Sequence, residues 1–263
     1  MKQPGRHFIF TSGRSGSNYL SNTLNLSPEC VNFGEVLGFR TLPYKLFGKH
    51  VCKTFGAETY LNYLYHSDIY FYLAQFYSAY SHVRTGRKIN FKFKRKLRSI
   101  GLKDFLVTME RHNALDYLRQ NEDIKIIYLH RENLLKRFIS AQHLMKSRIP
   151  ASYKSIDIEP IELNLDDLVN HLDIYNSEAE RELEFLNSMP DRKILNITYE
   201  SYFADSNSIT DWNKTISEFL DISLISTVSK QKKLLADTLP DAVSNSSEVV
   251  GKLTGTRYEK YLY

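Results

Sequence analysis

Near the start of the chain an apolar run, Phe8, Ile9 and Phe10, leads through Thr11 and Ser12 into Gly13-Arg14-Ser15-Gly16-Ser17-Asn18. Leu20 and Leu24 follow four residues apart. A short apolar run bounded by Ser and Gly reads as a buried strand, and leucines at i and i+4 as one face of a helix. Ser15 or Ser17 is placed to cap that helix, and Pro28 to stop it. Strand, glycine loop and helix in direct succession commit the chain to a βα unit.

The alternation continues downstream. Residues 51–55 read as a second apolar strand and 124–129, rich in Ile, as the strongest one. That strand runs into His130-Arg131-Glu132-Asn133, where a helix carrying Leu134, Leu135, Phe138 and Ile139 begins. Residues 166–188 carry Leu168, Leu172, Tyr175, Ala179, Leu183 and Leu186 at helical spacing, 193–199 read as a fourth strand, and 209–220 as another amphipathic helix. The expected fold is α/β: a central, mostly parallel, P-loop-like sheet flanked by helices. With 263 residues, 42% of them hydrophobic and 25% charged, the chain can bury a full core, which excludes disorder. We expect a single domain over 1–263 with an insertion at about 56–105, where the alternation lapses. Eleven residues between Tyr60 and Phe93 are Tyr or Phe, which suits a helical insertion packed on the sheet or a lid over an acceptor.

Two cysteines, Cys30 and Cys52, make neither a disulfide framework nor a zinc pattern. No signal-peptide core and no run of about 18 apolar residues occurs. The expected location is cytoplasmic, without a transmembrane segment.

The loop at 13–18 suits an anion. Gly13 and Gly16 allow a tight turn, successive N–H groups face inward, and a helix N-terminus adds about half a positive charge. Ser15 and Ser17 bring hydroxyls and Arg14 a planar cation. A nucleotide-hydrolysing loop of the G-x-x-x-x-G-K-[ST] type would need a Lys that is missing here, and no G-x-G-x-x-G occurs.

These residues resemble the sulfotransferases that use 3′-phosphoadenosine 5′-phosphosulfate (PAPS). Their phosphosulfate loop reads roughly R-S-G-[ST]-[ST] after a first strand; Arg14-Ser15-Gly16-Ser17-Asn18 is similar, with Asn18 in place of the usual hydroxyl residue. A second family motif, Arg at a strand end and Ser about two helical turns later, is similar to Arg131 and Ser140, and their spacing of nine is like that of the bacterial carbohydrate branch of trehalose and nodulation-factor sulfotransferases. The resemblance implies that Arg14, Ser15, Gly16, Ser17 and Asn18 hold one end of PAPS, and Arg131 and Ser140 its 3′-phosphate. It also implies Tyr199 beside the adenine, and Lys252 and Thr256 in a C-terminal loop that departs further from the family pattern.

Glu35 follows Gly34 in what reads as a loop past the first helix. The resemblance implies that Glu35 is the base, taking the acceptor proton, while Arg14 stabilises the leaving phosphate. It implies no catalytic metal, and a hydroxyl acceptor on a carbohydrate or glycolipid. His130 reads as a strand-end residue near the product nucleotide (PAP); His50, His112 and Lys53 are candidates for the acceptor side.

A rival reading rests on the stretch 84–98, which holds Arg84, Arg87, Lys88, Lys92, Lys94, Arg95, Lys96 and Arg98 and no acid. A nucleic-acid or anionic-polymer binder would concentrate charge in this way. A nucleotide kinase with an atypical loop is a third reading; nucleic acid is not an expected partner under the leading one.

Overall fold

The structure, a computed structural model, describes residues 3–39, 41, 44–84, 89–147, 159–226 and 238–262. Five parallel strands form one sheet: β1 (Gly5–Thr11), β2 (Cys30–Glu35), β3 (Ser99–Asp104), β4 (Lys125–His130) and β5 (Ile194–Thr198), in the order β2-β3-β1-β4-β5. Helix α1 (Ser17–Leu24) follows β1 directly. A π-helical turn over Tyr44–Gly48 leads into α2 (Lys49–Phe55), α3 (Ala57–His66) and α4 (Asp68–Arg84), all between β2 and β3. Helices α5 (Leu106–Arg111) and α6 (Leu115–Gln120) precede β4; α7 (Leu134–Ser147) and α8 (Leu168–Asn187) precede β5. Helices α9 (Tyr199–Tyr202), α10 (Ser206–Leu220), α11 (Leu239–Ala242) and α12 (Ser246–Leu253) follow, and a 3-10 turn over Glu259–Tyr261 comes last among the described residues.

Strand periodicity sorts the core. Phe8, Phe10, Ile126 and Tyr128 face one side of the sheet and pack with Tyr60, Leu61 and Leu64 of α3. Ile9, Ile127, Leu129 and Ile197 face the other, with Leu20 and Leu24 of α1 and Ile216 and Leu220 of α10. Burial on both faces is why the middles of β1 and β4 are continuously apolar. Truncating one such residue, Ile127→Ala for instance, would cost about 2–5 kcal/mol.

Three local readings are corrected. Residues 51–55 lie in helix α2, not a strand: a short apolar run has no period of its own, and Gly48 and Gly56 bracket a single helical segment here. The second strand is instead Cys30–Glu35, so Glu35 ends a strand rather than sitting in a loop. The missing central strand is β3, buried along its whole length although it holds Ser99, Lys103 and Asp104; it occupies the last positions of the 56–105 segment. Gly101 is needed there, because a Cβ would lie 1.9 Å from Nε2 of the buried His7.

The chain leaves β1 toward β2 on one side and leaves β4 toward β5 on the other. Adjacent parallel strands whose connections diverge open a crevice beyond their carboxyl ends. The loop after Thr11 and the segment after His130 meet at that crevice.

Candidate functional site

Two left-handed residues shape the loop after β1, Arg14 at φ 64 and Gly16 at φ 82. A non-glycine residue in that region is strained and persists where its surroundings hold it. Gly16 itself, and neither serine, occupies the N-cap of α1, with no side-chain cap. A side chain there would meet Phe203, whose Cε2 lies 2.6 Å from the place a Cβ would take. Only glycine combines this φ with this approach.

The loop is fastened from two sides. The Ser15 hydroxyl lies 2.5 Å from Thr11 Oγ1, which also reaches the Leu129 carbonyl at 2.7 Å and the Ser12 carbonyl at 3.0 Å. Ser15 thus braces the loop against β4 instead of pointing into it. Arg137 of α7, buried, donates from Nε to the Gly13 carbonyl at 3.0 Å and pairs with Glu178 at 2.6 Å. Its guanidinium lies over the Tyr175 ring, 4.1 Å from the centroid.

Arg14 reaches across the crevice and donates from Nε to Ser140 Oγ at 3.0 Å. The loop and the Arg131–Ser140 segment therefore line one gap. Arg131, buried as the first residue after β4, stacks its guanidinium on Tyr199 at 4.2 Å from the ring centroid, an interaction of about 2 kcal/mol when desolvated. Its Nε has no hydrogen-bond partner, and the nearest carboxylate, Glu200, stands 3.8 Å away while accepting the backbone N–H groups of Glu132 and Asn133. Burial lowers the pKa of both Arg14 and Arg131, and the Arg131 charge lowers that of Arg14 further. No acidic side chain among the described residues forms an ion pair with Arg14. Two facing, poorly neutralised guanidiniums, with the buried Ser12 hydroxyl also lacking a partner, are an arrangement that an anion would relieve. The chemistry of this donor set fits a phosphorylated ligand.

Glu35 ends β2, at the same end of the sheet as the crevice. Its Oε1 lies 3.0 Å from Nζ of Lys103, a side chain 2% exposed near the end of β3. The same ammonium donates to Asn18 Oδ1 and lies 3.5 Å from Ser17 Oγ. One buried cation thus joins the carboxylate to the start of α1. Next to it the buried Asp104 accepts from the backbone N–H groups of Val36 at 3.2 Å, Leu37 at 2.8 Å and Phe105 at 3.1 Å. Burial pushes Asp104 up to about 6, with the Glu35 charge adding and the three amides opposing. Asp104 fixes the backbone that follows Glu35. Tyr60 of α3 braces the same turn, donating to the Val36 carbonyl at 3.1 Å.

Other expected residues stand apart. Lys252 is exposed on α12, and Thr256 turns its hydroxyl to the Leu253 carbonyl at 2.7 Å. Their segment packs on α7 through Val249, Leu253 and Tyr258. His130 ends β4 stacked on Tyr128 at 4.5 Å, and burial lowers its pKa. His50 and Lys53 are exposed on α2, whereas His112 packs edge-on against Tyr44 at 5.2 Å. Sequence reasoning missed Lys103, Asp104 and Arg137. The one local signal for the first two was a Lys-Asp pair just past a run of Ile, Gly and Leu.

Solved structures similar to this chain include the sulfotransferase domain of the Synechococcus PCC 7002 olefin synthase, at 16% identity over 88% of this chain and 80% of that one, TM-score 0.45. A sulfotransferase from Alicyclobacillus acidocaldarius matches at 15% identity over 100% and 96%, TM-score 0.45, and one from Mycobacterium avium at 12% over 96% and 76%, TM-score 0.44. No curated protein matches the sequence significantly. The model of the sulfotransferase domain family matches residues 4–244, and the chain, with its parallel sheet and glycine loop after β1, belongs to that family.

Proposed function

We propose that this sulfotransferase takes its sulfuryl group from PAPS and delivers it to a hydroxyl of a carbohydrate or glycolipid, with Glu35 as the base. The observation that carries the reading is the Lys103 bridge, 3.0 Å to Glu35 and hydrogen-bonded to Asn18. It puts a carboxylate and an anion loop at one end of the sheet, though they lie on different strands. Arg14, Gly16, Ser17 and Asn18 would hold the 5′ end of the donor with Ser15 bracing the loop, Arg131 and Ser140 would hold the 3′-phosphate, and Tyr199 would lie beside the adenine. Lys252 and Thr256, on the C-terminal segment, would close over the 3′-phosphate.

PAPS supplies an activated sulfuryl group whose transfer breaks an S–O bond and leaves the electron pair on a phosphate oxygen. Glu35 takes the proton from the attacking hydroxyl as the new O–S bond forms. Lys103 keeps the carboxylate in place and, with Arg14, offers positive charge where negative charge grows. Asp104 and Tyr60 hold the Val36–Leu37 backbone, so Glu35 is presented from a fixed strand end.

The basic stretch does not favour the polymer-binding reading. Lys92 is buried and donates to the carbonyls of Asn25 and Cys30, Lys94 donates to the His66 carbonyl and Asp68, and Arg98 pairs with Asp221. Arg87 and Lys88 lie outside the described residues. Titration calorimetry with PAP tests the donor assignment, and turnover of PAPS with a panel of sugar, glycolipid and phenol acceptors tests the acceptor. No heat with PAP at millimolar concentration would end the PAPS reading; sulfation of phenols alone would end the carbohydrate one.

A further inference from the structure

Helix α4 carries apolar side chains on two sides, beside a narrower strip that holds Gln75 and Ser78, and a helix apolar on more than one side is normally buried. Here one side meets the core through Tyr70 and Phe71. The other carries Ile69, Leu73, Phe76, Tyr77, Tyr80 and Val83, each between 56% and 70% exposed. At about 100° per residue all of these fall within an arc of about 120°. They form one stripe along a helix about 25 Å long. A stripe of this size in water marks an interaction surface.

Charge says what covers it. Arg84 ends the helix, and Arg95 and Lys96 face solvent. The two features are contiguous: Phe76 packs on Phe91 at 5.4 Å, Phe91 on Phe93 at 5.7 Å, and the Arg95 guanidinium lies 5.8 Å from the Phe93 centroid. From Ile69 to Lys103 the sequence contains no Asp or Glu, and Asp68, just before, is paired with Lys94. An isologous dimer on this face would bring these cations against their own copies. A nucleic acid would find few cations for much apolar surface. Exposed apolar side chains along one helix face, rimmed by Arg and Lys with Asp68 paired to Lys94, fit a fluid apolar layer beneath negative headgroups.

We propose that the solvent face of α4, with Arg84, Arg95 and Lys96 at its margin, docks the protein on an anionic lipid bilayer. The proposal stands apart from the sulfuryl-transfer reading, because vesicle binding requires no turnover. It would place the enzyme where glycolipid hydroxyls are presented.

Co-sedimentation with vesicles of equimolar phosphatidylcholine and phosphatidylglycerol tests it. The protein should pellet with these vesicles, much less with phosphatidylcholine alone, and should be partly released by salt. The Leu73→Ser/Phe76→Ser variant should partition at least about tenfold more weakly, with PAP affinity unchanged. Because the double variant could melt early, Arg95→Glu/Lys96→Glu provides a second arm in which only exposed charges change, and it should also weaken partitioning several-fold. A protein that stays in the supernatant, or that pellets equally well in both variants, overturns the proposal. So does self-association in sedimentation equilibrium that Leu73→Ser/Phe76→Ser abolishes without any vesicle binding, which would assign the face to a second copy.

Discussion

The crevice beyond β1 and β4 and the stretch 84–98 both hold cations, and the two use them in opposite ways. In the crevice Arg14, Arg131 and Lys103 come from three separate strand ends, and the first two have little carboxylate nearby. In the stretch the charges are dense in sequence, yet Lys92, Lys94 and Arg98 are spent on carbonyls and carboxylates of the same fold. Density along the chain is therefore a poor guide to an anion site. What matters is whether a cation is held away from water without a full partner, because only then does an incoming anion gain the interaction.

The sharpest break between the two regions is catalytic. Glu35→Gln should lower turnover of PAPS and acceptor by about 10² to 10⁴ while calorimetry finds PAP binding intact. An equal loss in both measurements would make Glu35 a binding group instead. Next in size is a pH effect in the basic stretch. Burial brings Lys92 down to about 8 from 10.5, so between those values the unfolded chain holds a proton that the native one has released. Stability then rises with pH across this window, by up to about 3 kcal/mol. Chemical denaturation at pH 8 and 10.5 should show this gain relative to Lys92→Met.

Arg131→Ala should weaken PAP binding by about 1.5–3 kcal/mol, the scale of a charge-assisted hydrogen bond. Lys96→Ala in the same calorimetric experiment should change nothing, and a loss as large as that of Arg131→Ala would erase the contrast between the regions. On stability the smallest effect is that of Arg98→Ala, which removes an exposed pair with Asp221 and should cost below about 1 kcal/mol in denaturant unfolding.

Several elements were legible because their signals are local. The run at 8–10, the glycines at 13 and 16, the Ile-rich strand before Arg131 and the spacing of α8 each declare their structure within a few residues. The errors share a cause. Val51 and Cys52 look like strand residues but lie in a helix, and β2 and β3 look polar because Asn32, Lys103 and Asp104 are buried with partners from elsewhere. Asn32 accepts from Ser21 and donates to the Leu102 carbonyl, contacts that no window around residue 32 contains.

By itself, then, the sequence determined the first strand, the glycine turn after it, the Ile-rich strand before Arg131 and the long helix α8, since periodicity and backbone freedom are properties of short segments. The order of the strands, and with it the meeting of Lys103 with Ser17 and of Arg137 with Gly13 across separations of 86 and 124 residues, belonged to the tertiary structure. So did the sorting of basic side chains into partnered and exposed. A charge acquires its role from how much water and how many acceptors surround it, and folding alone assembles those surroundings.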